Sequence, residues 1–95
     1  MMNRARCEKT RQLLAQGARL VDVRSAEEFT QGALKQAVNL PLQMLHQATR
    51  LFHKDDPLVV YCASGVRSAE AKHRLERSGF RQVHDLGSFQ NLQQC

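Results

Sequence analysis

Five consecutive residues, Leu58-Val59-Val60-Tyr61-Cys62, are apolar and rich in β-formers. A strand with one wet face alternates apolar and polar side chains. An unbroken apolar run of this length belongs instead to a strand covered on both faces, which favours a central place in a parallel sheet. The next residues agree. Ala63-Ser64-Gly65 is a compact turn, and the charged stretch over 67–78 has helical character and is ended by Gly79.

The remaining chain repeats this alternation. Residues 4–16 are expected to form a helix carrying Leu13 and Leu14, stopped by Gly17. Residues 19–23 form a short buried strand. Ser25 and Glu28 have the spacing of a capping box, and the short helix they start ends at Gly32. Residues 37–40 form a second strand, and a helix starting at Pro41 carries Met44, Leu45, Ala48, Leu51 and Phe52 at helical spacing. Residues 82–86 form a last strand, followed over 87–95 by a loop or one helical turn. Strands alternating with helices define an α/β fold with a mainly parallel central sheet flanked by helices. In such sheets functional loops lie beyond the C-terminal strand ends, where Cys62 falls.

Composition narrows the function. The 95 residues suit a single domain over 1–95, with 42% hydrophobic and 24% charged residues. The longest apolar run is far too short for a bilayer span, and no apolar stretch follows the basic N-terminus to make a secretory signal. The expectation is a cytoplasmic protein without membrane contact. The net charge is +5, but the basic residues are scattered, with one Tyr and no Trp to stack on bases. That pattern speaks against nucleic acid and suits a small anionic substrate. The histidines lack ligand spacing and no CxxC exists, so no metal and no cofactor are expected. An odd count of three widely spaced cysteines argues against a disulfide framework; Cys7 and Cys95, in terminal segments, have no visible activating group.

Cys62 differs. It stands just before a helix N-terminus, where unpaired N–H groups and about half a positive charge favour the thiolate, the nucleophilic form of the side chain. Gly65 permits a tight turn, and a loop of small residues can aim several N–H groups inward as an anion nest. Arg67 adds a cation. Ser64 and Ser68 are expected to cap the helix rather than to bind an anion. The alternative, a buried structural thiol, fits Cys62 alone but not the Cys-x-x-Gly-x-Arg-Ser continuation.

The ordered set "LVDVRSAEEFTQG", "AVNLPL", "VVYCASGVRSAEAKHRLERSGF" and "VHDLGS" resembles the successive blocks of single-domain rhodanese-like sulfurtransferases, from about residue 19 to residue 88. The resemblance implies a three-layer rhodanese-like domain. It implies that Cys62 is the persulfide-forming nucleophile and that Ala63, Ser64, Gly65, Val66 and Arg67, with Ser68, form the anion-binding loop. Asp22 and Arg24 would be a supporting polar pair bracing the active-site loops. The implied activity moves sulfane sulfur from a small anionic donor such as thiosulfate to a thiol or protein acceptor (or cyanide in an assay), with Lys72 or Arg24 at the rim helping to draw in the donor. The rivals are a non-catalytic rhodanese-like binding module and a Cys-dependent phosphatase or arsenate reductase. The phosphatase type has five residues between Cys and Arg; here there are four, Ala63 to Val66. Three features depart from the family. Ala33 stands in place of a frequent His, Gln36 in place of a frequent Gly, and "LGSFQNL" in place of a Gly-Gly turn and an aromatic. A homodimer contact would cover a flank left thin by the short tail.

Overall fold

The structure, a computed structural model, describes residues 4–90. Helix α1 (Arg4–Ala15) leads into strand β1 (Arg19–Asp22), helix α2 (Ala26–Thr30) and the two-residue strand β2 (Val38–Asn39). A 3₁₀ turn (Leu42–Gln47) and helix α3 (Ala48–Leu51) precede β3 (Leu58–Cys62), α4 (Val66–Arg77) and β4 (Val83–Ser88). All four strands are parallel, in the order β2-β1-β3-β4. No helix among the described residues is long and apolar enough to cross a membrane.

Alternation along the strands divides the core between the two faces of the sheet. Leu58, Val60 and Cys62 of β3 face one side with Val21 and Val23, against Leu45, Ala48 and Phe52 and against Ala71 and Leu75 of α4. Val59 and Tyr61 face the other side with Leu20 and Leu86, against Leu13 of α1. Every residue of β3 is buried, as its unbroken apolar run demands. The result is helix, sheet, helix: the three layers expected of the α/β class.

Three local features differ from the sequence-based expectation. The segment after Pro41 is a 3₁₀ turn and one short α-helix, not a single helix. Leu42, Leu45 and Ala48 recur every three residues, and a three-residue turn directs all of them at the core. Met44 and Leu51, assigned to the inner face, are exposed. Strand β4 runs on to Ser88, because an irregular register beside Val60 and Tyr61 lets it accommodate an extra residue: Asp85 opposes Val60 and Gly87 opposes Tyr61. Cys7 is buried and disulfide-bonded, against the reading of the cysteine count, while Cys95 lies outside the described residues.

Gln36 is the one non-glycine residue with positive φ among those described, at 69°. A side chain there costs roughly 1–2 kcal/mol relative to ordinary backbone, part of which glycine would return through the greater freedom of its unfolded chain. Gln36→Gly is therefore expected to stabilise the fold by about 0.5–1 kcal/mol. Thermal unfolding checks it: an unchanged or lower midpoint would show that Gln36 is unstrained.

Candidate active site

The site grows from the C-terminal edge of the sheet. Strand β3 ends at Cys62, which has no exposed surface. The chain then turns through Ala63-Ser64-Gly65 into α4. Gly65 occupies the cap position of α4 with φ 97°, a left-handed conformation that suits glycine. Gly65 has no side chain with which to cap this helix. Its place is taken by sulfur: the Gly65 N–H donates to Cys62 Sγ at 2.9 Å and the Ser68 N–H donates at 3.2 Å. An N-cap Ser or Asp would accept from the same third-residue N–H that Ser68 directs at Sγ. The expected capping by Ser64 or Ser68 is thus corrected. Ser68 is fully buried, and its hydroxyl lies 3.2 Å from the Gly65 carbonyl and 3.5 Å from that of Gly87, donating toward the loop and β4. The irregularity in β4 brings that Gly87 carbonyl to the site, and the Asp85 carboxylate holds it by accepting from the Gly87 N–H at 2.9 Å.

Arg67 does not stand free over the sulfur. Its guanidinium donates two bonds to the Glu28 carboxylate, at 2.7 and 3.0 Å. Glu28 also accepts from the Ser25 N–H at 3.0 Å, while the Ser25 hydroxyl accepts from the Glu28 N–H. One carboxylate therefore closes the capping box of α2 and ties that helix to the loop after Cys62. The Arg67 guanidinium, then the Ser25 backbone, hold the Glu28 carboxyl at about 2, against an ordinary 4.5. Glu28 in turn pushes Arg67 up. A depressed carboxyl contributes stability in full above its unfolded value and loses it as pH falls through the folded one. The stability advantage of wild type over Glu28→Gln should accordingly be constant near neutrality and close between pH 4.5 and about 2. Paired denaturation curves across that range test this; a gap independent of pH would mean the pair contributes nothing.

The Asp22–Arg24 pair lies at the end of β1. Asp22 is fully buried and Arg24 is 5% exposed. Arg24 Nε donates to both Asp22 oxygens at 3.0 Å, its terminal nitrogen to Oδ2 at 2.7 Å, and its backbone N–H to Oδ1 at 2.9 Å. The same terminal nitrogen reaches the Gly32 carbonyl at 2.7 Å. Its guanidinium lies over the rings of Phe89, at 4.5 Å, and Tyr61, at 5.7 Å. Hydrogen bonding to Asp22 raises the Arg24 pKa, and burial pushes the Tyr61 phenol up. Arg24 is thus a bolt between β1, the Gly32 turn and the aromatic pair, rather than a rim cation. Lys72, also considered for the rim, pairs with Glu76 at 2.9 Å.

Two contributors were not assigned to the site from sequence. Glu28 had been read for its capping box alone, and its partner Arg67 is 39 residues away. Asn39 donates through its amide to the carbonyls of Asp22 and Arg24, both at 3.0 Å, and so fixes the turn that carries the pair. An Asn within a short apolar strand is disfavoured there, and that was the available signal.

A cysteine acceptor at a strand-to-helix turn, braced by one buried and one half-buried ion pair, defines a class in which sulfur is held by backbone donors. Residues 7–95 match the family model described as the rhodanese-like domain, and the chain belongs to that family. It is 34% identical over 88 residues to a protein named sulfurtransferase from Allochromatium vinosum, covering 90% of this chain and 82% of that protein. It is 32% identical over 74 residues to the thiosulfate sulfurtransferase PspE of Escherichia coli, covering 76% and 71% of the two chains. Among solved structures it is similar to the human single-domain sulfurtransferase TSTD1, with a TM-score of 0.79 and 29% identity over 92% of this chain and 91% of that one. The chain spans only 55% and 54% of two other curated relatives, an uncharacterized Bacillus subtilis protein and a Schizosaccharomyces pombe protein named as a mitochondrial thiosulfate sulfurtransferase.

Proposed function

We propose that this chain is a sulfurtransferase that carries sulfane sulfur as a persulfide on Cys62. The observation that carries the reading is the sulfur accepting two backbone N–H groups at the head of α4, in a chain of the rhodanese-like family. Those donors stabilise negative charge on sulfur without reorganising during the reaction.

In the first half-reaction the Cys62 thiolate attacks the outer sulfur of thiosulfate. A sulfur–sulfur bond forms, the bond to the sulfonate sulfur breaks, and its electron pair leaves with sulfite. In the second, an acceptor thiolate attacks the terminal sulfur of the persulfide and returns Cys62 as thiolate. Two easier displacements replace one difficult transfer. The N–H groups of the loop from Ala63 to Ser68 suit the terminal sulfur, and the positive end of α4 draws in the dianion beside Arg67, which Glu28 orients and partly neutralises. Asp22 and Arg24 keep the β1 end in place. No step requires a cofactor.

With four residues between Cys62 and Arg67, the loop encloses one extra sulfur atom more readily than a tetrahedral phosphoryl group with three oxygens. Incubation with thiosulfate should add the mass of one sulfur to the intact protein, removable by reductant or cyanide, while aryl phosphates should be hydrolysed negligibly. A protein that gains no sulfur, or that consumes a phosphate ester faster than thiosulfate at equal concentration, is not this enzyme.

A further inference from the structure

Two adjoining cavities run along α4 beside the 3₁₀ turn. The smaller, of about 230 Å³, begins at Arg67 and Ser25; the larger, of about 440 Å³, continues past His46 to Arg77 and Ser78. They share Leu42, Gln43 and Arg74, so they form one groove between the 3₁₀ turn and α4. Among the described residues three arginines line it and no carboxylate does. Glu28 and Glu70 hold Arg67 and Arg74 from outside the lining, and Arg77 has no carboxylate partner among the described residues. A separate cavity differs: Asp55 lines it with Lys54 and Arg81, and bonds Arg81 directly.

We propose that this groove docks an acidic segment of a protein that accepts sulfur from Cys62. The inference rests on the sulfurtransferase reading and adds the chemistry of the acceptor. Charge gives the sign of the partner, and length gives its kind. At about 1.5 Å of rise per residue, Arg67 and Arg77 are roughly 15 Å apart along α4. A small thiol with carboxylates a few bonds from its sulfur cannot engage Cys62 and Arg77 together. An extended chain of about five residues or more spans that distance at roughly 3.4 Å per residue. The apolar floor of Leu42 and Leu45 accommodates such a backbone, while the arginines meet its carboxylates.

The test uses a fluorescently labelled Ser-Gly-Gly-Glu-Glu-Glu-Glu peptide and its glutamine counterpart, with binding read by anisotropy at low salt. Wild type should bind the glutamate peptide at least about tenfold more tightly. Arg74→Gln/Arg77→Gln should remove most of that preference, whereas Lys9→Gln/Arg11→Gln, an equal charge loss on α1, should change it less than about twofold. Equal weakening by both double variants would reduce the effect to net charge and overturn the proposal, as would equal binding of the two peptides. The cysteine version of the glutamate peptide should also discharge sulfur-loaded protein faster than its glutamine counterpart; equal rates overturn the assignment as acceptor site. Because the serine peptides need no sulfur chemistry, a protein that fails to load sulfur but keeps the anisotropy preference refutes the enzymatic reading alone.

Discussion

Cys62→Ser is expected to lower thiosulfate-dependent sulfur transfer by at least ~10³-fold, into the background, with the fold intact. The hydroxyl oxygen would occupy the position of Sγ and still accept from Gly65 and Ser68, so α4 keeps its cap. What disappears is the proposed nucleophile. A hydroxyl needs a base within hydrogen-bond reach to become reactive, and the donors recorded on Sγ are backbone N–H groups, which cannot remove a proton. Circular dichroism should be unchanged while cyanolysis of added thiosulfate stops. Turnover within tenfold of wild type would move the chemistry off Cys62.

Asp22→Ala should give the largest loss of stability among the substitutions considered. Asp22 accepts four hydrogen bonds from Arg24, and both residues are buried. Deleting the carboxylate leaves a buried guanidinium that, among the described residues, meets the Gly32 carbonyl and two aromatic faces. Breaking one side of such a pair costs about 3–5 kcal/mol, because the surviving charge stays desolvated. For a domain of this size the melting midpoint should fall by roughly 12 °C or more. Asp22→Asn retains part of the hydrogen bonding and should fall between. The exposed Lys72–Glu76 pair is the natural comparison, and removing it should cost under about 0.5 kcal/mol. A loss that small for Asp22→Ala would mean that Arg24 swings out to solvent.

The fold was legible where one pattern admitted one solution. The unbroken Leu58–Cys62 run has two apolar faces and so implied the central strand and the parallel sheet around it. The capping box at Ser25 stated its own geometry. Legibility failed where two periods agree over a short span: Leu42, Leu45 and Ala48 satisfy a three-residue turn, and Ala48 and Phe52 a four-residue one. Cys62 and the turn after it were visible because their residues are contiguous. The Arg67–Glu28 bridge was not, since 39 residues separate its ends and only the packed sheet brings them together. The serines were misassigned as caps for a further reason: propensities rank oxygen acceptors, and here a cysteine reached back from the preceding strand to take that role. The irregular register in β4 had no sequence mark beyond Gly87.

That sulfur cap limits how the domain can be improved. Protein engineers routinely raise stability by placing Ser, Thr or Asp at bare helix starts. At Gly65 that recipe would fail twice. The backbone is left-handed there, with φ 97°, and a new oxygen would compete for the Ser68 N–H that now points at Sγ. A hardier helix would then come with a sulfur that has lost one of its two backbone donors. On the proposed chemistry, stability and sulfur reactivity therefore draw on the same N–H group in the first turn of α4.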